Sequence, residues 1–251
     1  MQDLLLVGIG TGNPDHLTRE GVEAIRRADL ILIPRKGAGK SDLAGLRETI
    51  INDVTDEPPR IAYFDIPQRR TDDGYLRGVD AWHDAIATRW QAAMDTCPQA
   101  GVVALLVWGD PSLYDSSLRI AARLNPQPHT RVIPGITALQ ALTAAHAIPV
   151  NELGAPFMVT TGRQLRDTGW PQGTDTAMIM LDGECSFQTL DAAQYDIWWG
   201  AYVGMAQEIL ISGPLDEVSE QIRTTREHAR ADHGWIMDIY LLRRRRRGIS
   251  R

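Results

Sequence analysis

The sequence predicts an α/β protein of two α/β domains, and three observations carry that prediction. From residue 4 to about residue 134, short apolar runs alternate with stretches of helical spacing, the pattern of a mainly parallel sheet covered on both faces. Beyond Pro149 the apolar runs follow one another closely, which implies antiparallel pairs and a mixed second sheet. The third observation is VVALLVWGDPSLYDS, residues 102–116. Its apolar run reads as a buried strand and stops at Gly109-Asp110-Pro111, where glycine frees the backbone and proline cannot donate to a ladder. A buried strand that ends there and turns into a helix makes a pocket at the carboxyl end of a sheet, where open α/β sheets bind ligands. The expected domains are 1–134 and 135–242, with 243–251 as a basic, disordered tail.

In chain order, LLLVG (4–8) is the first strand, followed by the turn Gly8-Ile9-Gly10-Thr11-Gly12-Asn13-Pro14. A helix follows with Leu17, Gly21, Ala24, Ile25 and Ala28 on one face. DLILI (29–33) is the second strand, stopped by Pro34; Ser41 is placed to cap a helix that turns Leu43, Leu46, Ile50 and Val54 inward. RIAYF (60–64) is the third strand, and a polar loop, 65–74, leaves its end. A long helix to about Met94 buries Val79, Trp82, Ile86 and Trp90. The fourth strand, a helix over 116–124 and TRVIP (130–134) complete the first half. In the second half come a helix over 137–147 and strands at 157–161, 177–181, 198–203, 208–213 and 235–242, with a short helix near 186–193 and a longer one over 214–228.

The chain has 251 residues and a net charge of −6, 43% of it hydrophobic and 23% charged, which suits a globular protein with a core of its own. Cys97 and Cys185 are too few for a disulfide framework or a zinc site and read as thiols in a reducing cytoplasm. No apolar run is long enough for a membrane span, and the first residues lack the basic region of a signal peptide. Residues 243–251 hold six arginines and no acid, so the first 242 residues carry −12. An acidic body with a basic end does not have the footprint of a nucleic-acid enzyme.

The glycines after the first strand invite a dinucleotide-binding reading, which fails on two counts. The third glycine of that fingerprint falls on Asn13, and the acid expected after the second strand is replaced by Pro34-Arg35-Lys36. Two later motifs are more specific: Trp108-Gly109-Asp110-Pro111-Ser112-Leu113-Tyr114, and Pro134-Gly135-Ile136-Thr137-Ala138 about 25 residues on. With the turn at Gly8–Asn13, this combination resembles the class III S-adenosylmethionine-dependent methyltransferases, the tetrapyrrole (corrin and porphyrin) methylase family, over nearly the whole chain.

The resemblance implies C-methylation of a precorrin in cobalamin biosynthesis, with release of acetate. It implies S-adenosylmethionine as methyl donor, leaving as S-adenosylhomocysteine, in a cleft between the two domains. It implies donor contacts at Thr11, Trp108, Gly109, Asp110, Leu113, Thr137 and Ala138, and, with a looser alignment, at Leu181, Gly204 and Met205. It also implies a homodimer. Some family members carry an acid after the second strand that serves as a base; Pro34 stands there in this chain.

Methyl transfer from a sulfonium is an in-line displacement by an already activated donor, so alignment supplies most of the catalysis. No Ser-His-Asp order and no metal-ligand spacing is present, and no metal is expected. Acetate release needs water to attack a carbonyl and gains from a general base; Asp65, Asp110 and Tyr114 stand at strand ends. Asp110 serves equally as the turn's own cap. A tetrapyrrole with many carboxylates calls for arginines, and Arg35, Arg69, Arg70 and Arg163 follow strand ends. Trp198-Trp199 reads as core or dimer packing before a tetrapyrrole platform, and His16, His146, His228 and His233 receive no role. Three alternatives stay open: another precorrin methyltransferase, a same-fold methyltransferase of ribosomal RNA or of the diphthamide precursor, and a tetrapyrrole carrier without activity.

Overall fold

A parallel sheet with the order β3-β2-β4-β1-β5 forms the first unit. The computed structural model describes residues 2–35, 42–68 and 75–245. The loop at Gly37–Gly39, the cap at Ser41, Arg69, Arg70 and residues 246–251 lie outside them. The chain divides into Met1–Thr137 and Ala138–Arg251, a few residues beyond the expected boundary.

In the first unit β1 (Asp3–Gly8), β2 (Leu30–Arg35), β3 (Arg60–Asp65), β4 (Val102–Val107) and β5 (His129–Ile133) alternate with α1 (Arg19–Arg26), α2 (Asp42–Val54), α3 (Tyr75–Met94) and α4 (Ser117–Ala121). The alternation of side chains along each strand divides two cores. Leu4, Leu6, Leu30, Leu32 and Leu105 pack with Ile86 and Trp90 of α3 and Ile120 of α4. Leu5, Val7, Ile31, Ile33 and Leu106 pack with Ile25 of α1 and Ile50 and Ile51 of α2. Each such side chain, withdrawn wholly from water, stabilises by about 1.5–3 kcal/mol. β1 and β4 are parallel neighbours, yet α1 leaves to one face and α4 to the other. Their carboxyl ends therefore form the point where the winding switches, the place such sheets reserve for ligands.

The second unit holds a mixed sheet, order β6-β7-β10-β8-β9. Its strands are β6 (Met158–Thr161), β7 (Thr176–Met180), β8 (Tyr195–Ala201), β9 (Ile209–Pro214) and β10 (Asp238–Arg244). Only β6 and β7 pair in parallel. Helix α5 (Ala138–Ala145) covers one face against Met178, Ile239 and Leu241. The other face packs on α6 (Gly162–Thr168) and α7 (Leu215–His233), with Trp199 wholly buried in that core.

Three expectations are corrected. The short helix near 186–193 is instead two single 3-10 turns, Ser186–Thr189 and Ala192–Gln194, because Leu190 between them is extended. Helix α6 was not expected; Thr161 ends β6 and at once caps α6, its hydroxyl accepting from Gln164 N at 3.3 Å. The basic tail begins later than residue 243. Arg243 and Arg244 belong to β10, and Arg245 pairs with Asp196 and Asp216 at 2.8 Å each.

Candidate functional site

The loops that leave β1, β4 and β5 are knitted together by backbone. Gly109 N donates to Gly10 O at 2.8 Å, Gly10 N returns a bond to Gly109 O at 3.3 Å, and Ile9 N donates to Val107 O at 2.9 Å. Gly10 and Gly109 have φ of 73° and 66°, a region that favours glycine. Gly8 and Gly135 matter for space rather than conformation. A Cβ at Gly8 would stand 2.6 Å from Gly135 N, and one at Gly135 would stand 2.2 Å from Gly109 O.

Asp110 closes the knot. Its Oδ2 accepts from Gly135 N at 2.9 Å; its Oδ1 accepts from Ser112 N at 2.7 Å and from the Ser112 hydroxyl. Burial raises the pKa of this carboxyl, but the Ser112 and Gly135 hydrogen bonds outweigh it and hold the group below the usual carboxylate range. A lowered folded pKa contributes stability that is present above the unfolded pKa, about 3.9, and lost as pH falls through the folded value. Asp110→Asn is therefore expected to cost about 1–3 kcal/mol at neutral pH, since one amide group then faces an N–H. It should also flatten the acid limb of the stability curve below about pH 4. Urea unfolding at several pH values reads both; a variant as stable as wild type at pH 7 refutes the closing role.

The structure brings some of the expected site residues together and leaves others apart. Thr11, Trp108, Gly109, Asp110, Leu113 and Thr137 all follow the carboxyl ends of β1, β4 and β5. Thr11 is 3% exposed, and its hydroxyl is buried with no hydrogen-bond partner among the described residues. Tyr114, in the same loop, is 45% exposed with φ of 50°; burial of its phenol raises the pKa, so it stays protonated. Asp65 and Arg35 stand side by side at the ends of β3 and β2, and β3 is two strands from β4. Arg35 lies over the Tyr63 ring, 3.6 Å from its centre. Ala138, Leu181, Gly204, Met205 and Arg163 belong to the second unit, where Leu181 follows β7, Gly204 and Met205 follow β8, and Arg163 lies in α6.

The sequence reading passed over Arg47 and gave His16 no role. Arg47 of α2 is buried, its Nε donating to Leu106 O at 2.9 Å, and burial lowers its pKa to about 10. His16 sits in the turn Pro14–His16 with Nδ1 buried and unpartnered among the described residues. Helical spacing marks Arg47 for the inward face of α2 between Leu46 and Ile50, a placement an arginine disguises; His16 has no such signal.

Glycine backbone packed without side chains, a buried hydroxyl without a partner and a ring of strand ends fit a small polar ligand. Their geometry offers positioning. Among the described residues no group of three His, Cys, Asp or Glu is placed to hold a metal ion, and no helix is long and apolar enough to cross a membrane. A doubly wound parallel unit with this glycine knot, together with a mixed-sheet unit, is the fold on which the comparisons bear. The family model of tetrapyrrole (corrin/porphyrin) methylases matches residues 3–219, and the chain belongs to that family. It is 45% identical to a precorrin-6A synthase [deacetylating] from Sinorhizobium sp, over 97% of this chain and 96% of that one. A crystal structure of a cobalamin synthesis related protein from Corynebacterium diphtheriae is 36% identical and superposes with a TM-score of 0.83, covering 97% of this chain and 98% of that one. A uroporphyrin-III C-methyltransferase from Thermus thermophilus, solved in complex with S-adenosylhomocysteine, shares the fold at 17% identity, TM-score 0.58 and 96% coverage of both chains.

Proposed function

We infer that the chain methylates precorrin-5 at C-1 with S-adenosylmethionine and releases acetate, giving precorrin-6A in cobalamin biosynthesis. The observation that carries this is the 45% identity to the Sinorhizobium enzyme over almost the full length of both chains. The donor supplies a methyl group already activated by its sulfonium charge. The chain's own residues bind and align: backbone at Trp108, Gly109 and Asp110, the buried Thr11 hydroxyl, Leu113, and Thr137 with Ala138 at the start of α5. Leu181, Gly204 and Met205 complete the set of donor contacts in this reading. Alignment of this kind is worth about 7–11 kcal/mol of barrier.

Arg35, Arg69 and Arg163 are the proposed partners of the substrate's carboxylates. For acetate release, Asp110 is a poor base, because both its oxygens are engaged and its pKa is low. Tyr114 holds its proton. That leaves Asp65, exposed at the end of β3, as the carboxylate proposed to activate water. The protein is further proposed to work in the cytoplasm as a homodimer, which sedimentation at micromolar concentration would refute by returning the mass of one chain.

The test is one incubation of purified protein with precorrin-5 and S-adenosylmethionine, following methyl incorporation and acetate together. Equal amounts of both are expected. Methylation without acetate would separate the two steps. Neither product, with S-adenosylhomocysteine still bound, would keep the donor site and overturn the substrate.

A further inference from the structure

Strand β7 runs out into Leu181, a residue with two unusual properties. Its φ is 53°, a left-handed backbone that side chains with a Cβ resist, and it is 66% exposed although apolar. β7 and β8 flank β10 and both run antiparallel to it, so their carboxyl ends lie at the same end of the sheet. Just past the end of β8, Tyr202 is also left-handed, with φ of 51°. Strained residues persist only where their surroundings over-determine them, and they gather at sites that hold ligands.

Behind Leu181 lies the group that does the holding. Asp182 is 5% exposed, and four donors reach its carboxylate. Oδ2 accepts from the Tyr240 hydroxyl and from Ser186 N, each at 2.6 Å. Oδ1 accepts from Ser186 Oγ at 2.8 Å and Glu184 N at 3.1 Å. The Asp182 carbonyl accepts from Arg226 Nη2 at 3.0 Å, and Arg226 Nε is itself fixed on Asp238 Oδ2 at 2.9 Å. The carboxylate also packs where Gly162 has no side chain; a Cβ there would stand 2.3 Å from Asp182 Cγ. Asp182 therefore has one position, and the residue before it inherits one backbone conformation.

We propose that Asp182, Tyr240 and Arg226 are positioning residues that hold the Leu181 turn in the shape that receives the methyl donor. This rests on the reading of Leu181 as a donor contact. The Tyr240 hydroxyl bonds Asp182, the neighbour of Leu181, while its ring packs on Phe187; removing the hydroxyl alone therefore separates the claim from a general stabilising role.

The experiment is calorimetric titration of the full chain with S-adenosylhomocysteine, for wild type, Tyr240→Phe, Leu181→Gly and the double variant. Tyr240→Phe keeps the ring and removes one donor; it should weaken binding about five- to tenfold. In turnover it should raise the KM for S-adenosylmethionine with little change in kcat. Leu181→Gly relieves the strained backbone and removes the side chain, and should weaken binding at least as much. The double variant should be no weaker than Leu181→Gly, because the second change has nothing left to act through. Unchanged affinity in Tyr240→Phe, or effects that simply add, would overturn the proposal. If Tyr240→Phe does not fold, Ser186→Ala, which takes another donor from the same carboxylate, is measured in its place. If wild type binds no S-adenosylhomocysteine, the donor reading fails at the first titration and takes the proposal with it.

Discussion

Gly135→Ala is expected to destabilise the first unit by about 3 kcal/mol or more and to abolish binding of the donor. The new Cβ would lie 2.2 Å from Gly109 O, 2.7 Å from Gly8 C and 2.8 Å from Gly8 Cα. All three are backbone atoms, so no flexible side chain can swing aside. Relief requires that the β5 loop move away from β1 and β4, which breaks the Gly135–Asp110 hydrogen bond and leaves a carboxylate oxygen without its donor. For a chain of this size that loss corresponds to a fall in Tm of about 6–12 °C. Gly45→Ala is the control: its Cβ would meet nothing within 4 Å, and alanine at this exposed position near the start of α2 should raise stability by up to about 1 kcal/mol. Urea unfolding and titration with S-adenosylhomocysteine measure both effects. If Gly135→Ala unfolds within about 0.5 kcal/mol of wild type, the three loops are not a tight knot and donor binding needs another explanation.

The same contrast between local and distant partners decides what could be read from the sequence. The parallel unit was legible because its central strands are buried on both faces, so LLLVG and VVALLV had to be continuous apolar runs. The knot was legible as motifs because tight backbone approach demands glycine, and glycine is visible. Its partners were not: nothing local says that Asp110 spends one oxygen on Gly135, 25 residues on, and so has little left for proton transfer. Helix α6 escaped because GRQLRDT has a single large apolar residue, Leu165, to bury. The arginine run was misread at its start for a related reason. Arg243 reaches Pro149 O at 2.9 Å and lies over Trp198, and Arg245 finds acids at 196 and 216. A charge run looks solvated until the fold brings it carbonyls and carboxylates. Asp182 and its donors Tyr240 and Arg226 are a further case, 58 and 44 residues apart in the chain.

Arg226→Met should damage the second unit severely, and its damage should depend on pH. Arg226 faces the core on α7 in line with Ile222 and Ala229, a position that helical spacing assigns to an apolar residue. Its side chain is 10% exposed and that of its partner Asp238 is 7%, so the pair is sheltered from water and salt. Burial works against the charge of Arg226, but the hydrogen bond and charge of Asp238 outweigh it and its pKa rises. For Asp238, burial raises the pKa, and Arg226 with the Trp199 indole N–H only partly offset the rise. Methionine fills the volume but strands Asp238, a loss of about 3–5 kcal/mol when one partner of a buried pair is removed. With the guanidinium gone, burial dominates and the folded pKa of Asp238 climbs further. A carboxyl with a raised folded pKa contributes stability that is intact below its unfolded value and lost as pH rises through the folded one. The gap between variant and wild type should therefore widen as pH rises and narrow as pH falls and Asp238 takes up a proton. Arg226→Met with Asp238→Asn removes the stranded charge and keeps an acceptor for Trp199, so the double variant should recover part of the loss where the gap is wide. Guanidinium unfolding across a pH series is the measurement. A gap that stays constant with pH would mean that water reaches Asp238, and that α7 is held by the apolar residues around the pair instead.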